Sequence, residues 1–249
     1  EQNAYVGVTN RLLSPLATSI HVAFPEAAEQ LPQQRTHLSG NPIRETLLSV
    51  DAEAVRRQYS LDAGDTVLLV TGGSLGSAAL NEAVRAHHQQ LLETFPNVHL
   101  WWQTGQRYYN TLDAQVDSHP RLRLMEYIDR MDYAYAVADL ALCRAGALTC
   151  SELLATGTPS VLVPSPNVVA DHQTKNARSL SDVGAARMIS EENLRAQLPD
   201  VLQSLLSDEQ ARTRMAEAAQ AHARPEAATT IAEDVLRLAS DQSAPSPTA

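Results

Sequence analysis

Short apolar runs at residues 66–70, 98–103, 122–127, 140–143, 160–163 and 186–189 alternate along the chain with amphipathic stretches of helical length. The runs are too short for helices and are rich in Val, Leu and Ile, whereas the intervening segments at 80–92, 131–138, 148–155 and 172–183 place apolar residues three and four positions apart. Three further helical stretches follow at 191–207, 208–223 and 225–239. Such alternation predicts β/α units wound into a parallel sheet, because each crossover helix must return the chain to the sheet's starting edge. The expectation is an α/β fold with a doubly wound parallel sheet. Before Arg44 the pattern is weaker: a helix over 9–16 and strands over 19–24 and 36–38, read as the end of a preceding α/β domain. Gly40-Asn41-Pro42 supplies the linker, since proline restricts the residue before it and glycine tolerates positive φ.

Charge narrows the partners. With 29 acidic and 19 basic residues the 249-residue chain carries a net charge of −10, which opposes non-specific attraction to nucleic acid, so no nucleic-acid partner is expected. The apolar runs are far short of a membrane span. Cys143 and Cys150 lack neighbours at ligand spacing, so neither a disulfide framework, a zinc site nor any other metal site is suggested, and a reducing, cytoplasmic setting fits. Lys175 is the single lysine, an arginine bias that suits a GC-rich genome better than a high-salt cytoplasm. The start at Glu1, without methionine or a leader, reads as a fragment of a longer protein, and 241–249, small, polar and proline-bearing, reads as a disordered tail.

Open parallel sheets bind ligands beyond the carboxyl ends of their strands, so the loops after the strands carry the chemistry. The first, Thr71-Gly72-Gly73-Ser74-Leu75-Gly76-Ser77, leads from an apolar strand into a helix. It serves either as a tight turn or as a cradle of backbone amides for a diphosphate. It matches neither the dinucleotide fingerprint nor a P-loop. The second, Arg144-Ala145-Gly146-Ala147-Leu148-Thr149-Cys150-Ser151-Glu152, either presents helix-start amides with Glu152 accepting ribose hydroxyls, or is a capping box of Thr149 and Glu152. The third runs from Pro164 through Asp171-His172-Gln173-Thr174 to Asn176. Its dense amides and hydroxyls suit a sugar ring, or else a solvated loop with Asp171 as a helix N-cap. His172 reads as a surface residue rather than a catalyst, and Trp101 and Trp102 as packing rather than a stacking platform. Together the three loops point to a nucleotide-sugar site.

These strings resemble the MurG family of bacterial N-acetylglucosaminyltransferases, which complete lipid II in peptidoglycan synthesis. The resemblance rests on Glu1-Gln2-Asn3 with Asn10-Arg11, Gly40-Asn41-Pro42-Ile43-Arg44, Gly72-Gly73-Ser74-Leu75-Gly76 with Leu80-Asn81, Tyr127-Ile128-Asp129-Arg130-Met131, Arg144-Ala145-Gly146-Ala147-Leu148-Thr149 with Ser151-Glu152, and Asp171-His172-Gln173 with Asn176-Ala177. They occur in family order from residue 1 to about 180.

The resemblance implies a GT-B glycosyltransferase: 1–43 the end of the acceptor domain, 44–223 a Rossmann-like donor domain, and 224–240 a helix returning to the acceptor domain. It implies that Gly73, Ser74 and Gly76 face the diphosphate, Ile128 holds uracil through its backbone, and Arg44 lies against the nucleotide. Ala147, Leu148 and Thr149 would address the sugar through backbone groups, Glu152 the ribose, and Gln173 with Asn3 the N-acetylglucosamine. UDP-N-acetylglucosamine enters as donor substrate, with no cofactor and no obligatory metal. The lipid I acceptor, the catalytic residue and a peripheral contact with the inner face of the cell membrane belong to the missing part. Other UDP-sugar GT-B enzymes, such as a glycolipid synthase or a UDP-N-acetylglucosamine epimerase, and a non-catalytic nucleotide-sugar-binding subunit remain as alternatives. Departures from the family pattern are Ser77 for alanine, Thr174 for glutamine, Cys150 for valine, and the acidic net charge.

Overall fold

A computed structural model describes residues 1–242. The expected strands appear as β3 (Thr66–Thr71), β4 (Val98–Gln103), β5 (Leu122–Met125), β6 (Leu140–Cys143), β7 (Ser160–Leu162) and β8 (Ala186–Met188). They form one parallel sheet in the order β5-β4-β3-β6-β7-β8. β3 is buried along its whole length, as its unbroken apolar sequence requires of a strand covered on both faces.

Alternate side chains divide between two cores. Leu68 and Val70 of β3 point to one face with Trp102, Leu142 and Val161, packed under α4 (Ala78–Thr94) and α9 (Leu194–Ser207). Val67 and Leu69 point to the other with Trp101, Ala141 and Cys143, against α3 (Ala52–Gln58), α6 (Met131–Val137), α7 (Ala147–Thr156), α8 (His172–Asp182) and α10 (Glu209–His222). Trp101 and Trp102 are thus both core residues, one on each side of the sheet. Helix starts are capped where the sequence offers a short oxygen: Asp51 accepts from Ala54 N, Ser77 from Leu80 N, and Asp208 from Ala211 N. Ser77 is therefore a cap as well as a departure from the family pattern.

Some expectations need adjusting. β5 stops at Met125 rather than Tyr127, and 191–193 is a separate 3₁₀ turn before α9. α3 and the short α5 (Tyr109–Asp113) carry a single buried apolar residue each, Val55 and Leu112, too little periodicity to announce a helix.

Upstream, α1 (Val8–Leu13) and a 3₁₀ turn (Ser14–Leu16) precede β1 (Ile20–Val22), α2 (Pro25–Ala28) and β2 (Thr36–Leu38). β1 and β2 pair only with each other, in parallel, over a small core of Val6, Val22, Ala27 and Leu31. Val8, Leu12 and Leu16 are exposed by 74, 72 and 82%, leaving an apolar stripe uncovered on this segment. α11 (Ala227–Gln242) comes back to it: His21 Nε2 lies 3.0 Å from Asp234 Oδ2. The nearby Ser19 hydroxyl, together with the bonds from Arg237 and His21, holds the Asp234 carboxyl below the usual range. The chain passes between the two parts near residues 40–44 and again near 223–227, and the passes touch. Gly40, at φ +89°, faces Arg224 so closely that a Cβ would overlap its side chain. The helix expected over 224–240 is observed as Ala227–Gln242. The rest of the expected tail, 243–249, lies outside the described residues.

Candidate functional site

Strand order reverses between β3 and β6, the switch point at which an open parallel sheet leaves a crevice at its carboxyl edge. Thr71 and Cys143 end these strands side by side in register, so the glycine loop and the Arg144 loop diverge from a common origin.

The glycine loop turns through Gly73 at φ +83° and Gly76 at φ +75°. Gly76 packs against the Thr104 carbonyl, where a Cβ would overlap the oxygen. Ser74 and Leu75 stand at the exposed tip. The loop is held from beneath. Asn81 Nδ2 donates to Thr104 O at 2.9 Å, while Asn81 Oδ1 accepts from Trp102 Nε1 at 2.9 Å. Gln103 Nε2 donates to Gly73 O and Thr71 Oγ1, and Gln103 Oε1 accepts from Ile128 N. The backbone N–H of Ile128 is therefore already engaged, which leaves its carbonyl as the group to offer a base.

α7 begins at Ala147 after Gly146, whose extended backbone supplies no side-chain cap. A capping box of Thr149 and Glu152 is thereby excluded, because Thr149 already lies inside the helix. The amides of Ala147, Leu148 and Thr149 are the first-turn donors that an α-helix cannot satisfy internally, and they open toward the crevice of the switch point. The preceding loop is anchored by Arg144, which donates to the carbonyls of Val163 and Pro164 and pairs with Glu191.

Glu152 lies in the second turn of α7, accepting at Oε2 from the buried Tyr135 hydroxyl at 3.2 Å. Burial raises its carboxyl above the ordinary carboxylate range, an effect that the Tyr135 bond and the charge of exposed Arg44 offset in part. Burial likewise pushes the Cys143 thiol up to about 12, so it is no nucleophile at neutral pH.

Asn176, fully buried on α8, gathers the remaining candidates: it donates to Asn3 Oδ1 at 3.1 Å and to Ala145 O at 3.2 Å, and accepts from Ala4 N at 2.9 Å. Asn3 is thus tied to the base of α7 from across the upstream segment. Gln173, in the first turn of α8, accepts from Ser165 N at 2.9 Å and keeps its amide nitrogen for other use. Asp171 occupies the N-cap position of α8 without capping through its side chain, which accepts from Thr174 Oγ1 instead. Ala170 and Asp171 both adopt left-handed backbone, at φ 55° and 53°. The structure therefore joins Gly73 with Ile128 through Gln103, Glu152 with Arg44 by charge, and Asn3 with the α7 loop through Asn176. Gln103 and Tyr135 have no role in the sequence reading, whereas Asn81 enters it only within a family string and Asn176 within a family string and the polar loop read for a sugar. The one signal for Gln103 is its place as a polar terminus of an apolar, Trp-bearing strand.

Among the described residues no group of His, Cys, Asp or Glu is placed to hold a metal ion, and no helix is long and apolar enough to cross a membrane.

A six-stranded, doubly wound parallel sheet with amide-lined loops at its switch point defines a Rossmann-like domain, the C-terminal domain of the GT-B architecture. The chain belongs to the glycosyltransferase family defined by the glycosyltransferase family 28 C-terminal domain, whose profile matches residues 67–231. A Salinibacter ruber protein named UDP-N-acetylglucosamine–N-acetylmuramyl-(pentapeptide) pyrophosphoryl-undecaprenol N-acetylglucosamine transferase is 58% identical over 239 residues, covering 96% of this chain and 64% of its own length. A Porphyromonas gingivalis protein of the same name is 40% identical, with 96% and 64% covered. The crystal structure of Acinetobacter baumannii MurG superposes with a TM-score of 0.77 at 32% identity, covering 95% of this chain and 66% of that one. A Staphylococcus aureus MnaA–UDP co-structure shares the fold at 15% identity, with a TM-score of 0.69 and coverage of 94% and 66%. The chain thus spans a little under two thirds of the length of these relatives.

Proposed function

We propose that this chain is the donor-binding part of an inverting transferase that moves N-acetylglucosamine from UDP-N-acetylglucosamine to the muramyl 4-hydroxyl of lipid I, forming lipid II. The observation that carries this reading is the placement of two amide-lined turns, residues 72–76 and 146–149, on either side of the switch point, with Glu152 one turn deeper in α7. The names of the relatives supply the sugar and the lipid acceptor.

In this reading the amides around Gly73, Ser74 and Gly76 take the diphosphate, and the N-terminus of α7 adds its dipole. As UDP leaves, negative charge grows on the β-phosphate while the sugar becomes oxocarbenium-like, so fixed donors aimed at that phosphate lower the barrier. The Glu152 carboxylate accepts from the ribose hydroxyls, with Tyr135 holding one oxygen and Arg44 lying beside the nucleotide. The Ile128 carbonyl accepts from the uracil N–H. Gln173 and Asn3 address the acetamido sugar, together with Ala147, Leu148 and Thr149. Residues 1–43 act as the end of the acceptor domain, an assignment supported by the solitary β1–β2 pair and the uncovered stripe of Val8, Leu12 and Leu16. Residues 44–223 form the donor domain, and the helix that follows returns to the acceptor domain. Acceptor binding, the catalytic base and a peripheral contact with the cytoplasmic face of the membrane fall to the part of the relatives' length that this chain does not span.

Calorimetric titration with UDP-N-acetylglucosamine, UDP-glucose and UDP tests the reading. Selective binding of the acetamido sugar is expected. Glu152→Ala should weaken UDP binding by about 1–3 kcal/mol, the cost of a lost charged hydrogen-bond partner. Unchanged affinity in that variant would remove the ribose role.

A further inference from the structure

Gln103 ends β4 at 1% exposure, too deep to touch a ligand in the crevice. Its one planar amide nevertheless reaches two loops that are far apart in the chain. Nε2 donates to Gly73 O at 2.9 Å and to Thr71 Oγ1 at 3.0 Å, on the glycine-loop side. Oε1 accepts from Ile128 N at 2.8 Å, on the segment after β5. Thr71 Oγ1 also accepts from Gly73 N at 3.2 Å, so the turn is gripped on both sides of Gly73. The strand ends that carry the two loops are not neighbours, for β4 lies between β3 and β5. A side chain bridging them must come from β4 and must both donate and accept. A carboxylate has no donor for Gly73 O, and a serine is too short.

We propose that Gln103 is a positioning residue that sets the spacing between the diphosphate loop and the base-binding segment, so that a nucleoside diphosphate engages both at once. The proposal rests on the donor-site reading above. A ligand with two linked halves gains from the linkage only if both subsites are held at the span it bridges. Gln103 ties these two subsites together through the hydrogen bonds of one side chain, and its contribution is therefore to joint binding rather than to either half.

The test is titration of the 249-residue chain and its Gln103→Met variant with UDP, uridine and inorganic pyrophosphate, with folding monitored by near-UV circular dichroism. Methionine keeps the length of glutamine and removes all three bonds. UDP affinity should fall about tenfold or more, while uridine and pyrophosphate each change by less than about threefold, because the halves still bind but no longer in register. Should Gln103→Met fail to fold, Thr71→Val, which removes the bonds that Thr71 Oγ1 accepts from Gln103 Nε2 and Gly73 N and leaves those of Gln103 to Gly73 O and Ile128 N, should lower UDP affinity about threefold with the same selectivity for the joined ligand. UDP affinity unchanged in a folded variant would overturn the proposal, and so would an equal fall for UDP, uridine and pyrophosphate, the mark of general loosening. If the unsubstituted chain binds none of the three, the donor-site reading fails and the positioning role with it. Binding by the unsubstituted chain with indifference in the variant refutes the positioning role alone.

Discussion

The two loops that flank the proposed sugar-nucleotide site are built on opposite plans. The glycine loop after β3 owes its shape to glycines at the left-handed positions and to buried side chains beneath it, Asn81 and Gln103. The loop before α8 turns through left-handed Asp171 and Ala170, the latter strained in that backbone, and is tied down by the part-buried bond of Gln173 and the exposed bonds of Thr174 and Lys175. One is set before any ligand arrives; the other holds a costly conformation with shallow restraints. In the proposed site the contrast gives preorganisation to the part that would meet phosphate charge and adaptability to the part that would meet the sugar.

Reversing the chemistry of each loop tests the contrast. Gly76→Ala asks the rigid loop to accept a Cβ where the Thr104 carbonyl already sits, at φ +75°. It should cost about 3 kcal/mol or more of stability and abolish UDP binding, as read by urea unfolding and calorimetry. Stability within 1 kcal/mol of the parent, on the order of ordinary surface substitutions, would mean that the loop yields easily. Asn81→Ala leaves Trp102 Nε1 without its acceptor and Thr104 O without the amide it receives, at an expected cost of about 2–3 kcal/mol.

A pH titration probes α7 between the two. Burial raises the Glu152 carboxyl above its ordinary 4.5, so protonation begins at higher pH than in the unfolded chain. Folding stability from this group is therefore full below that ordinary value and is lost as the pH rises through the raised one. UDP affinity runs the other way if, as proposed, the ribose is held by a carboxylate: it should fall by up to about tenfold per pH unit as the pH drops through the raised value. Glu152→Gln should flatten this profile; a profile identical to the parent's would place the titrating group elsewhere. The smallest effect is expected at the strained loop. Ala170→Gly removes the left-handed penalty and should stabilise the chain by about 0.5–1 kcal/mol while leaving UDP affinity within about twofold. A loss of stability would show that the loop is braced by more than its surface bonds.

What could be read from the sequence was local. The six strands of the large sheet were visible because each is an apolar run interrupted by turn residues, and the glycine loop because only glycine suits its φ values. Gln103 gave no comparable sign, since its partners lie 25 and 30 residues away and meet it only through strand order. Tyr135 and Glu152 are 17 apart on separate helices, and the bond between them depends on how α6 and α7 pack. Ala170 and Asp171 carry no glycine or asparagine to announce a left-handed turn. The capping-box alternative for Thr149 arose because the spacing rule is blind to a helix that starts two residues earlier, at Ala147.

The paired crossings at Gly40 and Arg224 have a mechanical consequence. A single crossing would join the two segments at one point, whereas two passes in contact brace residues 40 and 224 against each other. The same seam is closed further by Ala4 and Phe24, which enter the core of the large sheet, and by the bonds of Asn176 to Ala4 N and of Ser179 to Glu26. Because the passes touch at a glycine with no room for a side chain, any larger residue at position 40 would have to push the start of the last helix away.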